Sequence, residues 1–560
     1  MNRSNRCLKI ALFFVLAFYP CSLLFAVRVE RLIDAWQPKH YVVSITLNDQ
    51  LSEIASATAR IDIVVLKPTA MIDLDFGELN IDAVKVNSKA TTYTHKDGKL
   101  TINLTEAAAP GAQLQISVAY HGKPKDGLIL TNDKDGKPSA VGDNWPNRVH
   151  HWIPTLDHPS AKATVTFNIT APAGNEVVAN GRLDHVQTGA SGSRTWTYSE
   201  AVPIPPYCMI IGVGQFARFE PKERSVTPLS YYVPQSDGPL AIKGFASSIP
   251  SLAYFSETVA PYPYEKLAMI VGATRFGGME NSSAIVFTST LFGPRPQAKI
   301  SKTFGIPVGT VSLIAHEIAH QWFGDSVTES TWADLWLSEG FATYFAGLFL
   351  QRYESEEAFQ GYMKQAAATA LTYEKSNRTP IFDRDTEDLF KLLNGNNYQK
   401  GAWVLHMLRS RLGDDAFFRG IRSYYAAHAN ATASTEDLRT ALEKSSGQDL
   451  RAFFQRWIYD SGHPQYELSW QFSAAKSSGG NGELRLTLKQ LQPGNIFLDP
   501  VPIVVTTPSG SRDIILKPTD KITVETIQLR EQPSGIEIDP RSTLLKEAKV
   551  VGVMTKAASV

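Results

Sequence analysis

The chain has 560 residues, which is enough for about three domains. Hydrophobic residues make up 43% of it and charged residues 20%, as is ordinary for a soluble globular protein. Lys plus Arg and Asp plus Glu both number 55, so the balanced charge argues against a nucleic-acid partner and against a basic face that binds membranes.

The N-terminal segment is strongly apolar. Three basic residues precede an uncharged run at residues 10–26. This order predicts a secretory signal peptide at residues 1–26, hence export to the periplasm or the exterior, with no strong membrane partner expected after cleavage. The alternative is an uncleaved membrane anchor, because the run is borderline in length for a bilayer. Of Cys7, Cys21 and Cys208 only the last would remain, so no disulfide is expected within the mature chain.

The periodicity of the rest of the chain predicts a multidomain α+β protein. Segments such as "YVVSITL" and "ARIDIVVL" alternate apolar and polar residues and predict an all-β saddle or sandwich domain at residues 27–220. A mixed and then mainly helical region follows at residues 221–461. It contains a helix with Ser434 as N-cap, Asp437 three residues later and Gly447 as its end. Alternation returns in "ELRLTLKQL" and "PVPIVVTT", which predict a small β-sandwich at residues 462–560.

The stretch "HEIAH" places His316 and His320 four residues apart, on one face of a predicted helix that we expect to end at Gly324. Both imidazoles can therefore reach one ion, with Glu317 close enough to contact a water molecule on it, and this pattern is a zinc-hydrolase signature. A catalytic zinc needs a third ligand and an open fourth position. Glu339 is the candidate third ligand, in the first turn of a new helix with Ser338 as its predicted N-cap. Taken alone, Glu339 could also be an acid that favours a helix N-terminus.

The segment "HEIAHQWFGDSVTESTWADLWLSEGFATYF" resembles the zinc-binding block of the aminopeptidase N family, the glutamate-zinc metallopeptidases (gluzincins) that include leukotriene hydrolase. "FGGMENSSAIVF" resembles the Gly-x-Met-Glu-Asn motif of that family, and "YQKGAWVLHML" resembles its tyrosine-bearing helix. The resemblance extends from about residue 40 to 550. The long helical-repeat domain of the family has no counterpart here, so we expect a short form.

The resemblance implies a thermolysin-like catalytic domain that binds one Zn²⁺ per chain through His316, His320 and Glu339. It also implies that Glu317 is the general base and that Tyr398 donates a hydrogen bond to the oxyanion. We further expect Thr343, one turn after Glu339, to orient a metal ligand.

The Gly-x-Met-Glu-Asn segment is the candidate substrate-binding segment. Its Glu280 is expected to capture the α-ammonium group of peptides with a free N-terminus, as the matching glutamate of the family does. Gly277 and Gly278 would let an extended substrate approach the backbone. Met279 is expected to form a pliable pocket wall, and Asn281 to hold the loop more than to touch substrate.

One position departs from the family pattern. Many members carry Glu or Gln where this chain has Trp145, so either Asp143 or Asn144 assists Glu280, or Glu280 acts more alone. The sequence is therefore interpreted as an exported zinc-dependent aminopeptidase. The alternatives are an endopeptidase, which Glu280 argues against, an additional activity on lipid epoxides, and a non-catalytic peptide-binding module, which the complete set of catalytic residues argues against. The preferred N-terminal residue and the oligomeric state cannot be predicted from the sequence.

Overall fold

The computed structural model describes residues 28, 30, 31, 34–189, 192–475 and 480–552. The predicted signal peptide at residues 1–26 lies outside these ranges. Within them, no helix combines the length and the apolar character that a membrane crossing requires.

The N-terminal part is built from strands whose inward-facing residues are apolar and whose outward-facing residues are polar. In the first strand, for example, Tyr41, Val43 and Ile45 are buried. The strands form an eight-stranded sheet (order β13-β14-β11-β1-β2-β8-β4-β5), a four-stranded sheet (β12-β15-β10-β9) and a three-stranded sheet (β3-β7-β6), so the all-β prediction is confirmed. The strands are β1 (Trp36–Leu47), β2 (Ile54–Val65), β3 (Thr69–Asp75), β4 (Asn80–Val86), β5 (Lys89–Ala90), β6 (Tyr93–Lys96), β7 (Lys99–Ala108), β8 (Gln113–Gly122), β9 (Leu128–Asn132), β10 (Pro138–Gly142), β11 (Ala163–Ala171), β12 (Glu176–Ala179), β13 (Arg182–Thr188), β14 (Arg194–Ile204) and β15 (Ile211–Gly214).

The middle part combines a five-stranded sheet (order β16-β17-β18-β20-β19) with packed helices, as the α+β prediction requires. Its strands are β16 (Ala217–Phe219), β17 (Leu229–Val233), β18 (Leu267–Gly272), β19 (Gly278–Met279), β20 (Ala284–Thr288), β21 (Thr328–Glu329) and β22 (Thr432–Ala433). Its helices are α1 (Ala241–Gly244), α2 (Ser248–Thr258), α3 (Val308–His320), α4 (Trp336–Tyr353), α5 (Glu356–Ser376), α6 (Gly401–Leu412), α7 (Asp414–His428), α8 (Thr435–Ser446) and α9 (Arg451–Phe454). The short strand β19 forms one edge of the sheet, beside α3.

The first domain boundary requires a correction. Strand β16 lies before the predicted boundary at residue 220, yet it pairs with β17 of the middle sheet. The chain therefore enters the second domain by Ala217, because a strand belongs to the sheet with which it hydrogen-bonds and not to the sheet that precedes it in sequence.

The C-terminal strands form two sheets, of order β27-β24-β23-β29 and β26-β25-β28. They are β23 (Gln465–Ser473), β24 (Gly482–Gln490), β25 (Val501–Thr507), β26 (Gly510–Leu516), β27 (Ile522–Leu529), β28 (Gly535–Ile538) and β29 (Glu547–Gly552). Their inward-facing residues, such as Leu484, Leu486 and Ile503, join the same apolar core as the helices of the middle part.

Buried polar contacts join the N-terminal part to the middle part. The Lys162 ammonium donates hydrogen bonds to the carbonyl oxygens of Asp325 and Ser326, each at 2.7 Å. The Asn180 amide likewise donates to the carbonyl oxygen of Ser282 at 2.6 Å. These bonds hold the turn after α3 and the loop after β19 against the first domain, and both segments belong to the site described next.

Candidate active site

Helices α3 and α4 bring the three predicted metal ligands together. The two Nε2 atoms of His316 and His320 are 3.0 Å apart, and they lie 3.4 and 3.3 Å from Oε2 of Glu339. Tetrahedral coordination with bonds of 2.0–2.1 Å separates ligand atoms by about 3.3–3.4 Å. Among the described residues, Oε2 of Glu339 has no hydrogen-bond partner although it is buried. An orphaned carboxylate oxygen facing two imidazole nitrogens at these distances fits a zinc ion.

The contacts of Nδ1, the ring nitrogen that faces away from Glu339, indicate the tautomer of His320. Its Nδ1 atom lies 3.1 Å from the carbonyl oxygen of Phe323 and 3.1 Å from the hydroxyl of Ser338. Because a carbonyl oxygen only accepts, Nδ1 carries a proton, which leaves Nε2, the atom that faces Glu339, as the one that would bind a metal. The prediction that Ser338 caps α4 is wrong. The helix begins at Trp336, since the buried side chains of Trp336 and Leu337 extend it, and Ser338 supports His320 instead.

Gly324 also differs from its predicted role. Helix α3 ends at His320, and Gly324 lies beyond it with φ of +121°, in the turn that follows. A Cβ atom at Gly324 would lie 2.4 Å from the Ser338 hydroxyl and 3.1 Å from Nδ1 of His320. Glycine is therefore required here by its backbone angle and because it leaves room for the contact between Ser338 and His320.

Glu317 occupies the expected position beside the ligand histidines and is buried. Its Oε2 atom has no hydrogen-bond partner among the described residues, so one carboxylate oxygen remains available for water or substrate. Burial raises its pKa well above the usual value for glutamate, an effect that the imidazole of His320 opposes. An available, proton-accepting carboxylate beside the metal ligands is what a general base requires.

Tyr398 reaches the ligands from a π-helical turn, Asn396–Lys400, that leads into α6. Its hydroxyl donates a hydrogen bond of 2.7 Å to Oε1 of Glu339, and its ring lies nearly parallel to the His316 ring. Burial and the Glu339 carboxylate raise the pKa of Tyr398 well above its usual value, so the hydroxyl keeps the proton that it would donate. Lys400, two residues further on, anchors this turn through a buried ion pair of 2.6 Å with Glu374.

Glu280 directly follows the edge strand β19. One oxygen of its carboxylate lies in a group with Glu317 and His320 whose facing atoms are all within 4.8 Å of one another. Burial raises the pKa of Glu280 to about 7, an effect that His320 opposes. Its own carbonyl oxygen accepts a hydrogen bond of 2.6 Å from the Gln321 amide. Gln321 follows His320 directly, so one side chain ties the Glu280 loop to the end of α3, the helix that carries His316 and His320.

The sequence did not single out Gln321, which proves to be the centre of a buried network. Besides its bond to Glu280, its Nε2 atom donates to Oδ2 of Asp325 at 2.8 Å. Its Oε1 atom accepts from the Ser283 backbone at 2.8 Å and from the Tyr262 hydroxyl at 3.0 Å. The only signal in the sequence was a polar residue between His320 and the apolar pair Trp322 and Phe323.

The other residues of the Gly-x-Met-Glu-Asn segment either line the cavity or hold the loop in place. Gly277, Gly278 and Met279 line the cavity, whereas Asn281 does not. Asn281 is fully buried and donates to the carbonyl oxygen of Met279. The side chain therefore holds the loop, as its expected structural role implied, and contact of Asn281 with substrate stays a prediction.

Trp145 stands where many family members carry Glu or Gln, and either of its neighbours Asp143 and Asn144 could have replaced that side chain. Asp143 pairs with Arg148 at 3.2 Å, and Asn144 donates to the carbonyl oxygen of Met209. Both side chains are fully buried, and neither lines the cavity, whereas Trp145 does. The acidic side chains that line the described cavity are therefore Glu280, Glu317 and Glu339, and neither Asp143 nor Asn144 joins them.

One open cavity of about 700 Å³ is lined by the three predicted metal ligands together with Glu317, Tyr398, Glu280 and Trp145. Thr343 and Tyr362 also form part of its wall. The pKa values of Glu339 and of the two histidines follow from burial and from their mutual interactions. Burial opposes the ionised form of Glu339, but His320 and His316 outweigh it and lower its pKa to about 2. Burial lowers the pKa of His316. Burial opposes protonation of His320, but the Glu339 and Glu280 carboxylates outweigh it and raise the pKa of His320 well above its usual value. An ionised Glu339 that faces two imidazoles suits a cationic metal.

Comparison with known proteins agrees with this geometry. A model of the peptidase family M1 domain matches residues 245–457, and a model of the peptidase M1 N-terminal domain matches residues 37–208. The first match contains the two histidines, Glu317, Glu339, Glu280 and Tyr398. The two matches together span more than half of the chain.

Named relatives point the same way. The chain is 28% identical over 400 residues to "Probable aminopeptidase 2" of Sulfurisphaera tokodaii, a match that covers 70% of this chain and 50% of the relative. It is 26% identical to "Tricorn protease-interacting factor F2" of Thermoplasma acidophilum, over 80% of this chain and 57% of the relative. It is 27% identical to "Aminopeptidase M1-A" of Oryza sativa subsp. japonica, over 72% and 48%. The chain thus spans about half the length of these curated relatives, and it belongs to the peptidase M1 family.

Proposed function

We propose that the protein is a zinc-dependent aminopeptidase that removes the N-terminal residue from peptides. The proposal rests on two features that occur together in one cavity. A His₂Glu metal triad with an adjacent available carboxylate supports hydrolysis, and Glu280 beside it supports recognition of a free amine. The peptidase M1 family and its aminopeptidase-named members support the same reaction class.

The side chains of this chain divide the chemical tasks. Zn²⁺ held by the triad would supply Lewis acidity and would lower the pKa of a water molecule at its fourth position. Glu317 accepts the proton of the attacking water and passes it to the leaving amine. Tyr398 turns its hydroxyl proton from Glu339 toward the carbonyl oxygen as negative charge develops there.

Glu280 and the edge of the sheet set the register of cleavage. The α-ammonium of a peptide would pair with the Glu280 carboxylate, which loses its water on burial and therefore needs a cationic partner. The peptide backbone would lie along β19, whose outer edge carries no further strand within the described sheet. With the terminus held there, the first peptide bond is the one presented to Glu317.

We also propose that the chain is exported, on the basis of the basic start and the apolar run at residues 10–26. Its partners would then be peptides outside the cytoplasm. N-terminal sequencing of the native protein tests this: a start near Val27 is expected, and an intact Met1 in a membrane fraction would favour an anchor.

The activity is tested with aminoacyl arylamides and their N-acetyl analogues, with and without a chelator. Free-amine substrates should be hydrolysed and the chelator should abolish this. Loss of a charge-assisted hydrogen bond costs about 1.5–3 kcal/mol, so acetylation should lower kcat/KM by at least tenfold. In Glu280→Ala the gap between free and acetylated substrates should shrink, and purely additive effects of the two changes would argue against contact between Glu280 and the amine.

A further inference from the structure

The contacts of Lys400 extend beyond its ion pair with Glu374. Besides the bond of 2.6 Å to Oε1 of Glu374, near the end of α5, the Lys400 ammonium donates a hydrogen bond of 3.0 Å to the carbonyl oxygen of Gly462. Gly462 lies 62 residues further along the chain, just before the C-terminal sheets begin. One side chain therefore joins the π-helical turn of Tyr398 both to α5 and to the start of the C-terminal part.

The other carboxylate oxygen of Glu374 is held by His463. Its Nδ1 atom lies 2.5 Å from Oε2 of Glu374. Burial opposes the ionised form of Glu374, but His463 and Lys400 outweigh it and hold the pKa of Glu374 below its usual value. An ionised carboxylate only accepts, so Nδ1 of His463 carries a proton and donates it. We call Lys400, Glu374 and His463 together the charged bridge.

The charged bridge is shielded from water along its whole length. The exposed fractions of the side chains are 0% for Lys400, 3% for Glu374 and 7% for His463. Burial lowers the pKa of Lys400, an effect that Glu374 opposes. Charges withdrawn from water need partners at fixed positions, so the loss of one member would displace the others. A displaced Lys400 would move Tyr398, which lies two residues earlier in the same turn.

The position of His463 is set by the C-terminal sheets. The next residue, Pro464, accepts a backbone hydrogen bond of 3.1 Å from Glu547, the first residue of β29, and β23 begins at Gln465. The Glu547 carboxylate also lies 3.8 Å from Nε2 of His463. The way in which the C-terminal sheets pack against the helices therefore decides where Nδ1 of His463 meets Glu374.

Tyr398 is a group whose position must be accurate. Its hydroxyl lies 2.7 Å from Oε1 of Glu339 and has to reach the carbonyl oxygen of the substrate as charge develops there. A misplacement of about 1 Å in such a group costs about a hundredfold in rate. π-Helical turns are rare, so we expect contacts from outside the turn to contribute to its shape. The charged bridge supplies such contacts.

We propose that His463 is a positioning residue for Tyr398, and that through Glu374 and Lys400 it makes correct packing of the C-terminal sheets a condition for stabilising the oxyanion. The inference rests on the proposed aminopeptidase function, because it needs Tyr398 as the oxyanion donor. His463 is not among the described residues that line the active-site cavity. Its loss should therefore lower kcat and leave KM nearly unchanged.

The test measures kcat and KM for an alanyl arylamide in His463→Phe, in Tyr398→Phe and in the double variant. His463→Phe keeps a ring of similar size and removes the donor to Glu374, so kcat should fall by about ten- to a hundredfold with KM within about twofold of wild type. Because His463 acts through the Tyr398 hydroxyl, the same change should cost less than about twofold in the Tyr398→Phe background. His463→Asn places an amide donor near the position of Nδ1 and should recover most of kcat.

His406→Phe is the matched control. His406 is also a buried histidine between the helices and the C-terminal sheets, and its Nε2 atom lies 3.1 Å from the carbonyl oxygen of Ser542. It lies on α6, beyond the turn of Tyr398 and outside the charged bridge. Its replacement perturbs the same interface, so kcat should stay close to wild type if the effect of His463 runs through Tyr398.

Four results would overturn the inference: normal kcat in His463→Phe, an equal loss with and without the Tyr398 hydroxyl, no recovery in His463→Asn, or an equal loss in His406→Phe. If His463→Phe does not fold, His463→Gln replaces it, because its longer side chain carries the amide past the position of Nδ1. Failure of the proposed function itself looks different, since the wild-type protein would then not hydrolyse the arylamide.

Discussion

Gly278 offers the sharpest test of the role assigned to Glu317. A Cβ atom at Gly278 would lie 2.3 Å from the Cδ and Oε1 atoms of Glu317, whereas one at Gly277 would come no closer than 3.7 Å to its nearest neighbour, Leu313. Non-bonded atoms normally lie about 3.5 Å apart, so Gly278→Ala must displace the carboxylate or the strand by about 1 Å. Because the carboxylate is the end of a flexible side chain, it is the group expected to move.

A displacement of about 1 Å in a catalytic group costs about a hundredfold in rate, or about 2.7 kcal/mol of activation free energy. Gly278→Ala should therefore lose kcat by about a hundredfold on an alanyl arylamide while its thermal unfolding and zinc content stay close to wild type. Gly277→Ala is the comparison at the neighbouring position: it leaves Glu317 in place, so its kcat should stay close to wild type and any effect on substrate approach should appear in KM. Normal kcat in Gly278→Ala, or an equal loss in Gly277→Ala, would refute the placement of Glu317 as the base.

Four further changes probe the metal ligands, the base and the oxyanion donor. His320→Ala should abolish zinc binding by elemental analysis, whereas Glu317→Gln should keep one zinc per chain and lose turnover, because it removes a base and not a ligand. Ser338→Ala removes a partner of the His320 ring and should weaken zinc affinity by about 10–100-fold in a chelator competition, with little change in fold by circular dichroism. Tyr398→Phe should lower kcat by about 10²–10³, and a change confined to KM would show that Tyr398 only binds substrate.

Elements whose signals are local in sequence were predictable. The helix that starts at Ser434 has its capping box with Asp437 and ends at Gly447 in a left-handed conformation, as predicted. The placement of His316 and His320 on one helical face followed from the period of 3.6 residues alone. The strand alternation of the N-terminal domain was equally direct, because one face of each strand is buried.

Features that depend on tertiary contacts were not predictable in the same way. The prediction that Ser338 is an N-cap was wrong because α4 begins earlier, at Trp336, whose buried side chain is not a usual capping residue. The π-helical turn that presents Tyr398 depends on a buried ion pair between Lys400 and Glu374, residues 26 positions apart. Two residues so far apart in the chain leave no periodic pattern from which their pairing could be predicted.

The spacing between the Glu280 carboxylate and the predicted metal ligands shows this difference most clearly. Motifs supplied the residue types, a glutamate in one segment and two histidines in another, but not the distance between them. That distance is fixed by Gln321, whose backbone continues from His320 and whose amide holds the carbonyl oxygen of Glu280. The loop is held again from the other side, where Asn180 of the first domain binds Ser282. Cleavage after a single residue would thus depend on a buried network across two domains, although the groups that perform the chemistry lie within short motifs.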